Sequence, residues 1–208
     1  MLNAIESGEL PAGASLRETE LAKRFKISRI PVREVLRRLE TQGPTTHKHN
    51  HGSVVATMND TQMIELYLLR EALEGVAARL AASHTAAAEV DLLYEMIEQD
   101  KLLIGRPLEL SRDNRRFHAR LRNAARNRYL SQILENLRLS LALLRGTIMS
   151  APNRGAEAVA EHLAIIDHIA ARRPNEAEEA ARSHIRHALQ VRRMIYGLVK
   201  SSNALFAD

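Results

Sequence analysis

Three of the nine histidines lie on apolar stripes of segments with helical periodicity, and their side chains could bind a metal ion. His118, His162 and His184 each share a helical face with apolar neighbours three, four or seven residues away. We therefore expect three imidazoles from three helices to point inward, where an unpaired polar group costs roughly 1–3 kcal/mol. One shared divalent cation, zinc or nickel, would satisfy all three rings. A single inward histidine is more often a hydrogen-bonded core residue, and water or the other rings could satisfy these three as well.

A fourth ligand is expected from Asn114. This residue precedes His118 by one helical turn, which places the two side chains about 40° apart around the helix, and its amide oxygen can coordinate a cation. Asp113 is the stronger ligand by chemistry, but it points about 140° away. Because Asn is neutral, the site would keep the full charge of the ion and attract anions more strongly than an Asp site would. We therefore predict that a small organic acid completes the coordination sphere through its carboxylate.

Two arginines are candidates for binding the same acid. Arg70 precedes Glu74 by one helical turn, and Arg122 follows His118 by one turn. Each has a structural interpretation, which is an ion pair with a nearby acidic group, and a functional one, which is a guanidinium that clamps a ligand carboxylate. The sequence leaves both interpretations open.

A second chemistry is indicated by a short basic segment near the N-terminus. Seven Lys/Arg residues and one acid, Glu34, lie between Lys23 and Arg38. Ser28 is a candidate N-cap of a helix in which arginines recur on one side and apolar residues on the other: Arg29, Arg33 and Arg37 against Val32, Val35, Leu36 and Leu39. A charged helix face is often only a solvated surface, but positive charge clustered at this density is typical of phosphate binding. With the segment ETELAKRF upstream, the pattern predicts a helix-turn-helix whose second helix reads duplex DNA.

The residues after this helix predict a β-hairpin of the kind called a wing. Gly43 and Pro44 break the helical pattern, and residues 45–49 and 53–57 alternate as two short strands. His51 and Gly52 lie at the predicted tip, where Gly allows the backbone to approach DNA closely. An ordinary solvent-exposed turn is the alternative. Residues 1–7 predict a first helix so short that we expect a turn or more to be missing before it.

From residue 59 to the end, the periodicity is helical. Six segments are predicted, at residues 60–83, 87–104, 108–124, 128–149, 156–172 and 176–200. We therefore predict a mainly α fold with two domains. Residues 1–58 form a winged helix-turn-helix of three helices and a hairpin, and residues 59–208 form an antiparallel six-helix bundle.

Composition limits the class of protein. The chain has 208 residues, a net charge of +5 and no cysteine, which excludes a disulfide framework and is compatible with a reducing cytosol. No apolar run approaches the roughly 20 residues that span a bilayer. Aromatic residues make up only 3%, which argues against stacking on single-stranded nucleic acid. The composition predicts a cytoplasmic protein that does not associate with membranes.

These motifs resemble a known family over nearly the whole chain. The segment SLRETELAKRFKISRIPVREVLRRLETQG, followed by a hairpin with a turn Gly, is similar to the winged-helix domain of GntR-type transcriptional regulators. The segments NRRFHARL, EHLAIIDHI and SHI resemble the helical ligand-binding domain, called FCD, of the FadR branch. Six helices in this domain are similar to the VanR-type subgroup.

The resemblance implies a homodimer that binds operator DNA and holds a metal and a small organic acid in its C-terminal bundle. By matching motifs, the DNA contacts would be Ser28, Arg29, Ile30, Arg33, His51 and Gly52, to which the arginine pattern adds Arg37. The metal ligands would be Asn114, His118, His162 and His184. Pro44 departs from the family pattern at the entry to the wing, where Pro cannot donate a strand hydrogen bond.

The predicted function is a ligand-responsive transcriptional regulator, most simply a repressor. The alternative is a metal-dependent hydrolase or lyase, with Glu161 or Asp167 as the base beside the histidine cluster. An enzyme would have no use for the arginine stripe of the first domain, so we favour the regulator.

Overall fold

The computed structural model describes residues 1, 4–5, 8–48, 52–144 and 146–205, with side chains described up to residue 197. The chain is mainly helical with one small antiparallel hairpin, which confirms the predicted fold class. It divides into two compact units. The first contains Met1–Met63 and Glu135–Gly146, and the second contains Ile64–Leu134 and Thr147–Asp208. The predicted domain boundary at residues 58 and 59 stays a prediction.

The first unit contains the predicted helix-turn-helix. Helix α1 spans Glu18–Phe25 and helix α2 spans Arg29–Thr41. Between them, Lys26 has a φ of 53°, and its N–H donates to carbonyls of the last turn of α1. This left-handed residue ends the first helix and lets the chain turn into the second. The predicted first helix at residues 1–7 lies largely outside the described residues.

Helix α2 buries one stripe and exposes the rest. Val32, Leu36 and Leu39 are buried in the core of the first unit, as predicted. Val35 was expected on the same stripe, but its side chain is 40% exposed, so that part of the prediction is wrong. At 100° per residue, Val35 lies at the edge of the stripe that the other three define. Ser28 occupies the N-cap position, although its side chain makes no capping hydrogen bond within the described part of the chain.

The wing is present as a two-stranded hairpin. Strand β1 spans Thr45–Lys48 and pairs with strand β2, Gly52–Val55, in an antiparallel register that sets Thr45 opposite Val55. The hairpin is confirmed. Strand β2 begins one residue earlier and ends two residues earlier than predicted, and residue 49, the predicted end of the first strand, lies outside the described residues. His51 lies outside the described residues. Gly52 begins β2 with a φ of 71°, a conformation that favours glycine.

The six predicted C-terminal helices are present. Their bounds are α3 (Asp60–His84), α4 (Ala87–Leu102), α5 (Pro107–Ala124), α6 (Arg128–Leu141), α7 (Arg154–Ala170) and α8 (Pro174–Leu205), with a 3-10 turn at Ile148–Ser150 between α6 and α7. The prediction that the fourth of them continues to residue 149 is wrong. It ends at Leu141 because Leu143 is buried in the core of the first unit and Thr147 starts a new turn by accepting a hydrogen bond from the Met149 N–H.

Side chains fix the ends of these helices. Asn59 and Gln62 form a reciprocal cap before α3, in which each side-chain oxygen accepts a hydrogen bond from the other residue's N–H, at 2.8 and 3.0 Å. Asn127 caps α6 by accepting from two backbone N–H groups, both at 3.1 Å. Arg172 donates to the Ala82 and Thr85 carbonyls at the C-terminal end of α3. These contacts satisfy backbone groups that a helix end leaves unpaired.

The core of the second unit lies where α3, α4, α5, α7 and α8 meet. Four alanines of α3 are fully buried there, and their small side chains let neighbouring helices approach closely: Ala77, Ala78, Ala81 and Ala82. Phe117, Leu121, Ile165, Ile166 and Ile169 are among the larger apolar side chains of this core. This packing holds α5, α7 and α8 beside one another, and these are the helices that carry the three histidines.

One buried acid should make the stability of this unit depend on pH. Asp100 on α4 is 1% exposed, and one of its carboxylate oxygens has no hydrogen-bond partner among the described residues. Burial, with repulsion from Asp113, raises its pKa from 3.8 to about 6. The folded state therefore binds more protons than the unfolded state between these pH values, so stability falls as the pH rises through this interval.

We predict that Asp100→Asn raises the free energy of unfolding by about 2 kcal/mol at pH 7 and by little at pH 4. Urea unfolding at several pH values measures this. Asp91→Asn, an exposed change on the same helix, is the control. A gain at Asp100 that is equal at both pH values would contradict the prediction.

Candidate metal centre and nucleic-acid interface

The three predicted histidines meet inside the second unit. His118 on α5, His162 on α7 and His184 on α8 are all at least 95% buried. The Nε2 atom of His184 lies 3.3 Å from the Nε2 of His118 and 3.3 Å from the Nε2 of His162. Each ring offers one nitrogen to a common point, with all three within 4.8 Å of one another. The cluster could therefore hold one metal ion.

Carboxylates fix the outer nitrogens of two of these rings. The Nδ1 of His184 lies 2.6 Å from Glu161, and the Nδ1 of His118 lies 3.3 Å from Glu74. Burial would raise the pKa of Glu161, but hydrogen bonds from His184 and Arg154 lower it to about 2. Burial would also raise the pKa of Glu74, but His118 and the nearby arginines lower it to about 2. Both carboxylates are therefore ionised. An ionised carboxylate only accepts hydrogen bonds, so each Nδ1 must carry the proton.

It follows that the inner nitrogen of His184 carries a lone pair. Burial lowers the pKa of His184 to about 4, against the opposing effect of Glu161, so this ring is neutral and its single proton is on Nδ1. Its Nε2 therefore faces the Nε2 of His118 at 3.3 Å with no proton of its own to donate. A cation placed between the rings would be coordinated by this lone pair. The donor set therefore fits a divalent metal ion.

His162 completes the cluster in a different way. Its ring is stacked on Phe117, with centroids 3.8 Å apart and planes inclined by 16°. Burial lowers its pKa well below the ordinary value, so the ring is neutral. Its Nδ1 is buried without a hydrogen-bond partner among the described residues. Packing against an aromatic ring, rather than a carboxylate, therefore sets the orientation of this imidazole.

Asn114 lies one turn before His118 on α5. Its Oδ1 is buried and has no hydrogen-bond partner in the part of the chain that the structure describes. Such an orphaned oxygen is costly, and coordination to a cation would satisfy it. The carboxylate of Asp113 instead binds Arg116 at 2.7 Å.

The two candidate effector residues lie beside Glu74. Arg70 is buried, and its Nη2 lies 3.6 Å from Oε1 of Glu74, so the ion pair predicted by spacing is present. Arg122 is also buried, and its positive charge contributes to the lowered pKa of Glu74. Two positive charges therefore act on the carboxylate that contacts His118.

The predicted DNA-contact residues of α2 are exposed on the first unit. The exposed set is Ser28, Arg29, Ile30, Arg33 and Arg37, in which Ile30 is 70% exposed. An apolar side chain this open to water at the start of a basic helix is available to contact a base or a sugar. Gly52 is half-buried at the start of β2. The geometry of the first unit is therefore that of a winged helix-turn-helix with its arginines outward.

Comparison with known families agrees with this division of the chain. Residues 1–55 match the family described as bacterial regulatory proteins, gntR family, and residues 65–187 match the FCD domain. The chain belongs to the FCD-domain transcriptional regulators of the GntR family. Its relatives include the Nta operon transcriptional regulator of Aminobacter aminovorans, 30% identical over 90% of this chain and 89% of the relative. The transcriptional repressor RspR of Escherichia coli is 27% identical over 88% and 81%, respectively.

Solved structures have the same fold. E. coli McbR/YncC superimposes with a TM-score of 0.82, at 20% identity over 94% of both chains. A GntR-family regulator from Pseudomonas syringae pv. tomato is 28% identical, with a TM-score of 0.56 over 97% of this chain and 84% of the other. The family and its named relatives are transcriptional regulators, so the alternative of a metal-dependent enzyme is not supported. Within the described residues, no helix is both long and apolar enough to cross a membrane.

Sequence reasoning missed several residues that build the centre of this FCD regulator. Arg154 is fully buried and donates two hydrogen bonds to Glu161, at 2.9 and 2.8 Å. His187 also contacts Glu161, through Nδ1 at 2.5 Å. The spacing of Arg154 and Glu161, two turns apart on one helix, was a visible signal. The stacking of Phe117 on His162 joins two helices, and no local pattern indicates it.

Glu161 therefore holds a buried cation as well as an imidazole. We predict that Glu161→Gln lowers the free energy of unfolding by about 3 kcal/mol, because Arg154 would keep its charge in a fully buried position without a carboxylate. Urea unfolding in the presence of a chelator measures this effect without any contribution from metal. Glu157→Gln is the matched control, because this acid is 3.9 Å from Arg154 and its side chain is 43% exposed. Equal losses in the two variants would contradict the prediction.

Proposed function

We propose that this regulator is a homodimeric repressor whose FCD domain senses a small organic acid through a bound metal ion. The observation that carries the proposal is the convergence of three buried imidazoles, in which the Nε2 of His184 lies 3.3 Å from the Nε2 of His118 and from that of His162, while carboxylates hold the outer nitrogens of His118 and His184. Such an arrangement is stable when a cation lies between the rings. The proposed regulator acts in the cytoplasm, where it meets operator DNA.

The metal would be held by the three rings and one amide oxygen. The ligands are His118, His162, His184 and Asn114, and three imidazoles favour zinc or nickel. A divalent ion at this position supplies positive charge and open coordination sites. Because all four ligands are neutral, they leave the charge of the ion uncompensated, while Glu74 and Glu161 act only on the outer ring nitrogens.

The effector would be a small carboxylate that approaches from the side of Arg70 and Arg122. The two buried guanidinium groups flank Glu74, and each can donate two parallel hydrogen bonds to a carboxylate. An effector changes DNA binding only if it binds the two states of the regulator with different affinity. The named relatives regulate or repress transcription, which supports a role of the acid in controlling operator binding.

The operator would be read by α2 and the wing. The proposed contacts are Ser28, Arg29, Ile30, Arg33, Arg37, His51 and Gly52. Exposed arginines on a helix can bind guanine edges in the major groove and the flanking phosphates. The match of residues 1–55 to the GntR family supports this interface.

A homodimer would place two such helices on a palindrome. An exposed apolar stripe on α3 supports self-association. Leu69 and Val76 lie seven residues apart on one face, 47% and 36% exposed, and Leu68 beside them is 57% exposed. Apolar side chains clustered on one helix face are typical of protein–protein contacts.

The metal and the acid can be tested together with Asn114→Asp. We predict that zinc and nickel bind about tenfold more tightly, because a charged ligand replaces a neutral one, and that acetate and citrate bind more weakly to the loaded protein. Isothermal titration calorimetry measures both affinities. Asn123→Asp, an exposed change on the same helix, should alter neither affinity. If both affinities were unchanged at position 114, Asn114 would not be part of the site.

The DNA interface can be separated from the metal centre with Arg29→Ala/Arg33→Ala. We predict that this double variant loses about 30-fold or more in affinity for the operator and keeps its metal content. The operator is the duplex that wild-type protein enriches from a random library, and binding is measured by mobility shift. A double variant of two exposed arginines of the second unit, Arg112→Ala/Arg193→Ala, removes the same charge as a control. A similar loss in both double variants would show that only net charge matters.

A further inference from the structure

The two foremost arginines of α2 are bound by one acid of the preceding helix. Glu18 is the first residue of α1, and its carboxylate accepts hydrogen bonds from Nε and Nη2 of Arg33 at 2.8 and 2.9 Å. The Nη2 of Arg29 contacts the same carboxylate at 3.3 Å. Glu18 of α1 therefore contacts the side chains of both Arg29 and Arg33 in the N-terminal half of α2.

The contact with Arg33 leaves part of its guanidinium free to face outward. Glu18 occupies the edge formed by Nε and Nη2, so Nη1 stays available as a donor to another acceptor. Two parallel charge-assisted hydrogen bonds fix the plane of the group. The side chain of Arg33 is 52% exposed and would otherwise sample many rotamers. Glu18 thus holds an exposed arginine in one orientation.

The same carboxylate is unfavourable for general attraction to DNA. Arg33 and Arg29 lower the pKa of Glu18 to about 2, so the acid is ionised at neutral pH. A negative charge between two arginines reduces their attraction for phosphates, which supplies most non-specific affinity. An acid here therefore weakens indiscriminate binding while it orders the group that reads the sequence.

We propose that Glu18 is a positioning residue for sequence recognition, which fixes the guanidinium groups of Arg33 and Arg29 and lowers the affinity of the regulator for non-operator DNA. This inference rests on the proposed contact of α2 with DNA. A purely structural role, in which the ion pairs only join α1 to α2, predicts a different result. Loss of a structural contact weakens binding to every DNA, whereas loss of a positioning contact weakens the operator complex and strengthens the non-specific one.

The test is Glu18→Gln, measured against two duplexes at several salt concentrations. One duplex is the operator selected by wild-type protein, and the other is a scrambled sequence of equal length and composition. We expect the ratio of the dissociation constant for the scrambled duplex to that for the operator to fall about tenfold. Binding to the scrambled duplex should tighten about two- to fivefold. The slope of log affinity against log salt on the scrambled duplex should steepen by about 1, because a further cation becomes free to neutralise phosphate.

Two further variants make the result decisive. Glu20→Gln removes the same charge from the same helix, where it pairs with exposed Arg17 and contacts neither reading arginine, and it should leave the ratio of dissociation constants unchanged. Arg33→Lys keeps the charge but cannot form the paired hydrogen bonds, so it should lower the ratio without changing net charge. In the double variant Glu18→Gln/Arg33→Lys, the ratio should fall little further than in either single variant, because both changes remove the same interaction.

Two outcomes would overturn the proposal. They are an unchanged ratio in Glu18→Gln, which includes equal losses of affinity on both duplexes, or the same fall in the ratio in Glu20→Gln. If the Glu18→Gln protein unfolds at a lower temperature and binds both duplexes more weakly, the ion pairs have the structural role instead. If the Arg29→Ala/Arg33→Ala variant still bound the operator as tightly as wild type, the DNA contact by α2 would itself be wrong, which is a separate result.

Discussion

Three buried imidazoles cannot share one point in a protein core without a cation or a proton between them. In this regulator an ionised carboxylate holds the proton of His184 on its outer nitrogen, so its inner nitrogen presents a lone pair to the other two rings. The rings meet only while α5, α7 and α8 stay packed, because each of these helices carries one of them. The core of the second unit packs these helices together, and Phe117 is stacked on the ring of His162.

The carboxylates that orient the rings are themselves anchored by arginines. Arg154 binds Glu161 from a fully buried position, and Arg70 lies beside Glu74. Each imidazole held by a carboxylate is therefore the inner member of a chain of charges that runs from arginine to acid to ring. Such chains hold a ligand nitrogen in one orientation and one protonation state.

Much of this arrangement could be predicted from local patterns. Helical periodicity placed His118, His162 and His184 on inward faces, and the alternation of arginines with apolar residues identified α2 as an exposed basic helix. Patterns of this kind act within one element. The stacking of Phe117 on His162 and the contact of Glu161 with His184 depend on packing between helices, which no single periodicity specifies. The end of α6 was missed for the same reason, because Leu143 leaves the helix to fill a core built by residues far away in sequence.

The first unit shows a comparable limit. The spacing of Arg29 and Arg33 predicted their exposure, but Glu18 belongs to another helix, and its contact with both arginines needed the structure. In both units, the residues that carry the chemistry could be found from sequence, whereas the contacts that orient them from another helix needed the structure.

The X-ray absorption spectrum of the zinc- or nickel-loaded protein tests the central claim most directly, because it counts the atoms that surround the ion. The account predicts three imidazole nitrogens at about 2.0–2.1 Å together with oxygen ligands. A coordination shell without the scattering pattern of three imidazoles would contradict it.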